Sequence, residues 1–94
     1  MTQDKICNLA ALRALLYQME YDLGLAELSE SQRDVLYAAK LTYDRDNGLN
    51  SKKLRQHPLV ANIPHATFFR ALSALIGMGL IERIGDNLVV LSGE

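Results

Sequence analysis

Apolar residues recur at alternating spacings of three and four from Leu9 through Leu12, Leu16 and Met19 to Leu23. That spacing predicts a helix from about Asp4 to Leu23 with a heptad-like seam. Ala11, Ala14 and Leu15 add a second apolar strip beside it. A helix with two strips needs two neighbours. One is its own domain, and a second copy of the helix is the natural other. The simpler alternative packs both strips inside one subunit, but so short a chain offers little surface to cover both. Gly24 suits the position just past the helix end.

The next apolar face is Val35, Leu36, Ala39 and Tyr43, which predicts a second helix from Glu30 to about Asp46. Ser29 is placed to cap it, and Gln32 three residues on completes a capping box. Asp46-Asn47-Gly48 breaks the helix with residues tolerant of left-handed geometry. Leu49 is a candidate for a very short strand. A short third helix starts at Asn50 or Ser51, both good caps, and ends at Pro58. Its Leu54 faces inward and its cations face out. A fourth helix begins at or just after Pro64, because proline suits the first helical position. Phe68, Leu72, Leu75, Ile76 and Gly79 share its inner face. His65, Ala66, Phe69, Arg70 and Ser73 share its outer face. Gly79 ends it, and Gly77 in the last turn reads as a close-packing site. Two strands follow, 80–84 and 88–92, with Gly85-Asp86-Asn87 as their turn.

Composition adds limits. The chain has 94 residues, enough for one domain with a modest core. Apolar residues make up 49%, so some apolar surface is expected to meet a partner subunit. No run is long and apolar enough for a membrane span, and the start of the chain lacks the pattern of a signal peptide. Cys7 is a lone cysteine, and metal-ligand spacings of Cys and His are absent, so neither a disulfide nor a metal is expected. A reducing cytoplasm is the expected location. The net charge is −1, but it is unevenly spread. Residues 1–50 carry five cations against eight acids, and residues 51–94 carry five against three. The positive excess falls on the carboxyl-terminal half.

From Ser51 to Arg83 the chain runs from a basic short helix through a turn into A-T-F-F-R-A-L and then L-I-G-M-G-L-I-E-R. This resembles the winged helix-turn-helix superfamily, and within it the MarR-like regulators, whose pattern is T-x-x-R-x-L-x-x-L-x-x-x-G-L-I-x-R. The likeness extends more loosely back to Leu28. The first helix matches only in kind. The resemblance implies a mainly α fold with a small β-hairpin wing, preceded by an N-terminal helix. Residues 1–27 would be a dimerisation element, with Leu9, Leu12, Leu16, Met19 and Leu23 at the interface. Residues 28–94 would be the winged domain. The implied function is a sequence-specific regulator of transcription, bound to double-stranded DNA as a homodimer.

In such a domain the fourth helix lies in the major groove and its leading residues meet base edges. His65, Ala66, Thr67 and Phe69 occupy that end, and Arg70 and Ser73 continue the face. Lys52, Lys53 and Arg55 belong to the helix that relatives lay across the backbone, where cations position the protein. Arg83 is the wing's one cation. The turn Gly85-Asp86-Asn87 is short and acidic beside the long basic wing of the family, so little minor-groove contact is expected. Relatives also complete their dimer with a carboxyl-terminal helix, whereas this sequence stops at Glu94. The first helix would then carry most of a dimer interface.

Each of these residues also has a plainer role. Phe69 would pack on the short helix, and the cations would be a solvated face. The rival function is a winged-helix adaptor that binds protein through Phe69 without DNA. An enzyme is not expected: Ser/His/Asp sets, phosphate-binding glycine loops and metal clusters are absent. No cofactor is implied. Cys7 has only Lys5 near it to activate a thiol, so a buried apolar role is its default. No effector ligand, operator sequence or direction of regulation is legible.

Overall fold

A computed structural model describes residues 2–91, with side chains from Asp4 onward. Helix α1 spans Thr2–Asp22, and a 3-10 turn, Leu25–Glu27, follows it. Helices α2 (Glu30–Asp46), α3 (Ser51–Arg55) and α4 (His65–Gly77) come next. Strands β1 (Ile81–Ile84) and β2 (Asn87–Val90) close the order as an antiparallel pair. The fold is therefore mainly helical with a small hairpin wing, as expected.

The helix boundaries follow from their caps. Gly24 sits at φ 79°, the left-handed geometry that ends α1. At α2 the Gln32 N–H donates to Ser29 Oγ at 3.1 Å, and the Ser29 N–H donates to Gln32 Oε1 at 3.0 Å. The predicted capping box is thus formed on both sides. Asn47 at φ 57° ends α2, so the left-handed residue there is the asparagine and not Gly48. Asn50 caps α3 by accepting the Lys53 N–H at 2.8 Å.

Three expectations shift. Helix α3 ends at Arg55, ahead of Pro58, because the chain must turn back early enough to bury Val60. Helix α4 begins just after Pro64, within the expected start, but Pro64 takes the cap and not the first helical position. Its ψ of 146° is extended, and its carbonyl accepts the Phe68 N–H at 2.8 Å. Gly77 packs against nothing: a Cβ there would meet open space. The left-handed residue that stops α4 is Gly79, at φ 82°. The N–H of Gly79 bonds the Ile76 carbonyl and that of Leu80 bonds the Leu75 carbonyl, the paired pattern of a Schellman ending.

The hairpin is tighter than predicted. Ile84 pairs with Asn87, leaving only Gly85 and Asp86 in the turn. Gly85 takes φ 62° and Asp86 does not have positive φ, which fits a II′ hairpin turn. The predicted end of the second strand at Ser92 lies outside the described residues. Leu49 is not a strand, yet its carbonyl accepts the Leu88 N–H at 2.8 Å and ties the α2–α3 loop to β2.

One core joins these parts. Val35 and Ala39 of α2, Leu54 of α3, Phe68, Leu72 and Leu75 of α4, and Ile81 and Leu88 of the hairpin are all buried. Helix α4 packs on α2, and β1 packs on α4. Thr42 is also buried, and its Oγ1 has no hydrogen-bond partner among the described residues.

Helix α1 stays outside this core. The chain measures 48 × 26 × 26 Å. Leu9 is 65% exposed, Leu12 62%, Leu16 43%, Met19 52% and Leu23 72%. The packing of both strips within one subunit does not occur. The helix is fastened near its carboxyl-terminal end by Glu20, a buried acid between Leu16 and Leu23. Tyr37 Oη donates to Glu20 Oε2 at 2.5 Å, and Arg33 Nε lies 3.8 Å from Glu20 Oε1. Arg33 also donates through Nη1 to the carbonyls of Leu25, Ala26 and Leu28. One arginine thus binds both α1 and the turn after it to α2.

Candidate functional site

The outer face of α4 is open. His65, Ala66, Arg70 and Ser73 are exposed, while Thr67 and Phe69 are half-buried. The alternation follows from the helical period: Phe68, Ala71, Leu72 and Leu75 take the core side and leave the others outside. Phe69 is not free. Its ring lies 4.6 Å from that of His65 and 4.9 Å, edge to face, from that of Phe68. The leading end of α4 is therefore a small aromatic cluster with His65 on its rim.

Arg70 makes no ion pair among the described residues. With Thr67 it lines a shallow cleft of about 320 Å³, shared with Ser29, Ser31 and Gln32 at the start of α2. No carboxylate lines that cleft. Glu30, the acid closest in sequence, turns into the cleft between α1 and α2.

Helix α3 places its three cations differently. Lys52 and Lys53 are exposed. Arg55 is turned inward: its Nη1 donates to the Val60 carbonyl at 3.1 Å, and its guanidinium sits 4.9 Å over the Phe68 ring. Arg55 thereby joins α3, the turn and α4. Lys53 lines a third cleft with Arg45, Asp46 and His57. Asp46 is already held by Arg45, through contacts of 2.8 and 3.2 Å. That hydrogen bond chiefly, with Lys53 a lesser contribution, holds the Asp46 carboxyl below its usual range.

Arg83 is exposed on β1, directly opposite Leu88. Asp86 occupies the tip of the wing and Glu82 is exposed on β1, so the hairpin offers one cation and two acids. The sequence-predicted residues thus divide. The α4 face opens beside the start of α2 and Lys53 beside its end, Arg55 and Phe69 are held by internal contacts, and Arg83 is on the wing. Of the five seam residues, Leu9, Leu12, Leu16 and Met19 lie on α1 and Leu23 just past its end.

One cluster escaped the sequence reading, namely Glu20, Arg33 and Tyr37. Burial first, then the hydrogen bond and charge of Glu20, push the Tyr37 phenol up to about 12. The signal was present as an acid sitting within the apolar stripe of the first helix. The cleft beside this cluster measures about 480 Å³ and mixes Arg13, Glu30 and Asp34 with Leu16, Tyr17 and Leu59. Cys7 is exposed on α1, so the expected buried role does not hold. Among the described residues no cluster of His, Cys, Asp or Glu is arranged to hold a metal, and no helix is long and apolar enough to cross a membrane. Comparisons with protein-family models, with characterised proteins and with solved structures give no match.

Proposed function

We propose that this chain is a double-stranded-DNA-binding regulator of the winged helix-turn-helix, MarR-like kind, which acts as a homodimer. The observation that carries the reading is the acid-free outer face around Arg70. An exposed helix start and an unpaired arginine are what a major-groove reader needs, because phosphates surround the groove and any carboxylate on that face would repel them. Arg70 reaches a guanine edge or a phosphate, and His65 and Ala66 lead into the groove. Lys52 and Lys53 bind the flanking backbone. Ser29, Ser31 and Gln32 offer small polar donors beside the positive end of α2, where a phosphate is favoured. Arg55 supports this face without touching DNA, and the acidic wing tip stays out of the minor groove.

The adaptor reading needs Phe69 as a free anchor. The ring is half-buried between His65 and Phe68, which favours the DNA reading.

The test is duplex binding by the full chain, using a random-sequence duplex pool and then the selected site. Affinity should fall steeply with salt. If Lys52, Lys53, Arg70 and Arg83 of both protomers each neutralise one phosphate, the log–log slope approaches about −7. Arg70→Ala should weaken the selected site about 5- to 150-fold and relax its sequence preference. Lys53→Ala should weaken all sequences alike and flatten the slope. Absence of binding to any duplex at low salt refutes the reading.

A further inference from the structure

The cleft at the end of α2 contains a buried hydroxyl that the fold leaves unserved. Thr42 lines that cleft and is only 1% exposed. Its Oγ1 has no hydrogen-bond partner among the described residues. Such a group destabilises the free chain, and native structures hold few of them. A ligand in the cleft that accepts from Oγ1 lifts that penalty.

The rest of the lining is rich in donors. Lys53 of α3 brings an ammonium that has no ion pair among the described residues. Gln56 and His57 come from the turn after α3. His57 Nδ1 accepts the Leu59 N–H at 3.1 Å. In the neutral ring the proton is therefore on Nε2, which leaves His57 a donor. The carboxylate on the lining, Asp46, is occupied: Arg45 engages both of its oxygens, at 2.8 and 3.2 Å. That pair cancels, and the charge of Lys53 remains. The carbonyl end of α2 opposes it with only about half a negative charge.

We propose that this cleft binds the phosphate group of a small molecule. Thr42 Oγ1, Gln56 and His57 donate to its oxygens, and Lys53 closes over it. Donors from three elements converge on one group, which calls for acceptor oxygens on several sides. A tetrahedral phosphate has them and a flat carboxylate does not. The cleft volume is about 360 Å³, more than a phosphate ion fills and within the range of about 300–1,000 Å³ for small-molecule sites. Pro58 gives the remainder of such a molecule an apolar wall.

A phosphate of the DNA backbone does not suit this floor. Thr42 Oγ1 lies below the surface, and a duplex meets Lys53 at the rim. A small ligand enters when Lys53 and Gln56 move, and both are exposed. The site stands whether or not the chain binds DNA. If the function proposed above holds, the filled cleft and the bound duplex compete for the one ammonium of Lys53.

Inorganic phosphate is titrated into the full chain at constant ionic strength, with chloride as the balancing anion, and followed by NMR. Signals of Thr42, Lys53, Gln56 and His57 should shift together and saturate below about 10 mM. Glycerol phosphate should bind at least as tightly, and its exclusion overturns the small-molecule occupant. Thr42→Val should weaken binding about ten- to a hundredfold, because a hydrogen bond to a charged group is lost. Valine keeps the volume and removes the unserved hydroxyl, so lost binding in this variant is not lost folding. Unchanged affinity in Thr42→Val overturns the proposal, as does a shift that never saturates or one centred on the Arg70 cleft. Acetate binding as tightly as phosphate overturns the choice of ligand. A Thr42 signal that responds to duplex but not to phosphate would make the cleft part of the DNA face, and the proposal fails. Absence of duplex binding refutes the regulator alone and leaves the phosphate titration to decide this site.

Discussion

Two glycines two residues apart should respond to alanine with opposite sign. Gly77 lies in the last turn of α4, exposed, with helical backbone and no atom within 4 Å of where a Cβ would sit. Alanine there adds helix propensity, restricts the unfolded chain and meets no obstacle, so Gly77→Ala should stabilise by about 1 kcal/mol. Gly79 is equally open, but its φ is 82°. An L side chain in the left-handed region costs roughly 1–2 kcal/mol, so Gly79→Ala should destabilise by about 1 kcal/mol net of the entropy gain. Because neither site is sterically blocked, backbone conformation alone separates them. For a domain of this size each kilocalorie moves the melting temperature by about 4–8 °C. Thermal unfolding at one fixed protein concentration should therefore place the two variants on opposite sides of wild type. A lower melting temperature for Gly77→Ala would show that the last turn of α4 packs against something. A neutral Gly79→Ala would show that α4 does not end in the left-handed turn.

Three further changes probe the core and the site. Arg55→Ala should lower stability by about 1–2 kcal/mol, from the lost bond to Val60 and the contact with Phe68, whereas Lys53→Ala should leave the melting temperature unchanged; equal effects would dissolve the division between supporting and contacting cations. Thr42→Val should stabilise by about 1 kcal/mol, because it removes a buried hydroxyl that finds no partner, and a loss of stability in urea unfolding would mean that the hydroxyl is bonded. Tyr37 should ionise near pH 12 instead of 10. Because its folded value is raised, its contribution to stability is complete below pH 10 and disappears as pH climbs through 12; absorbance at 295 nm follows the ionisation, and Tyr37→Phe should remove this part of the alkaline loss.

The elements were legible where local signals were strong. Ser29 with Gln32, Asn50, and the left-handed stops at Gly24 and Gly79 all fixed their helix ends, because capping chemistry lies within four residues of sequence. Phe68, Leu72 and Leu75 followed from period alone, whereas Ala71 is buried without having been expected and Gly79, expected on the inner face, is exposed. Roles that depend on distant contacts were not legible. Arg55 reads as a surface cation, and only the folded chain brings Val60 and Phe68 to it. Gly77 reads as a packing contact because a glycine inside a helix invites one, yet its surroundings are empty. The Glu20 anchor needed the pairing of α1 with α2 before an acid in an apolar stripe made sense. Helix α1 is the reverse case. Its two strips asked for two neighbours, and the single chain supplies almost none.

In the proposed homodimer the two half-sites lie one turn of DNA apart, about 34–36 Å. A dimer holds that spacing only if each body keeps a fixed angle to its α1. Across the junction the fixing groups are Glu20, Tyr37 and Arg33, which bind α1 to α2 beside the left-handed Gly24. Tyr37→Phe removes the hydrogen bond to Glu20, leaves only the 3.8 Å ion pair with Arg33, and should loosen that angle while leaving the α4 face intact. The expected result is a dimer that still binds the selected duplex but discriminates less against half-sites moved apart by one or two base pairs. The measurement is affinity across a series of spacer lengths. An unchanged spacing preference would mean that the angle is set elsewhere, and the cluster would be no more than a support for α1.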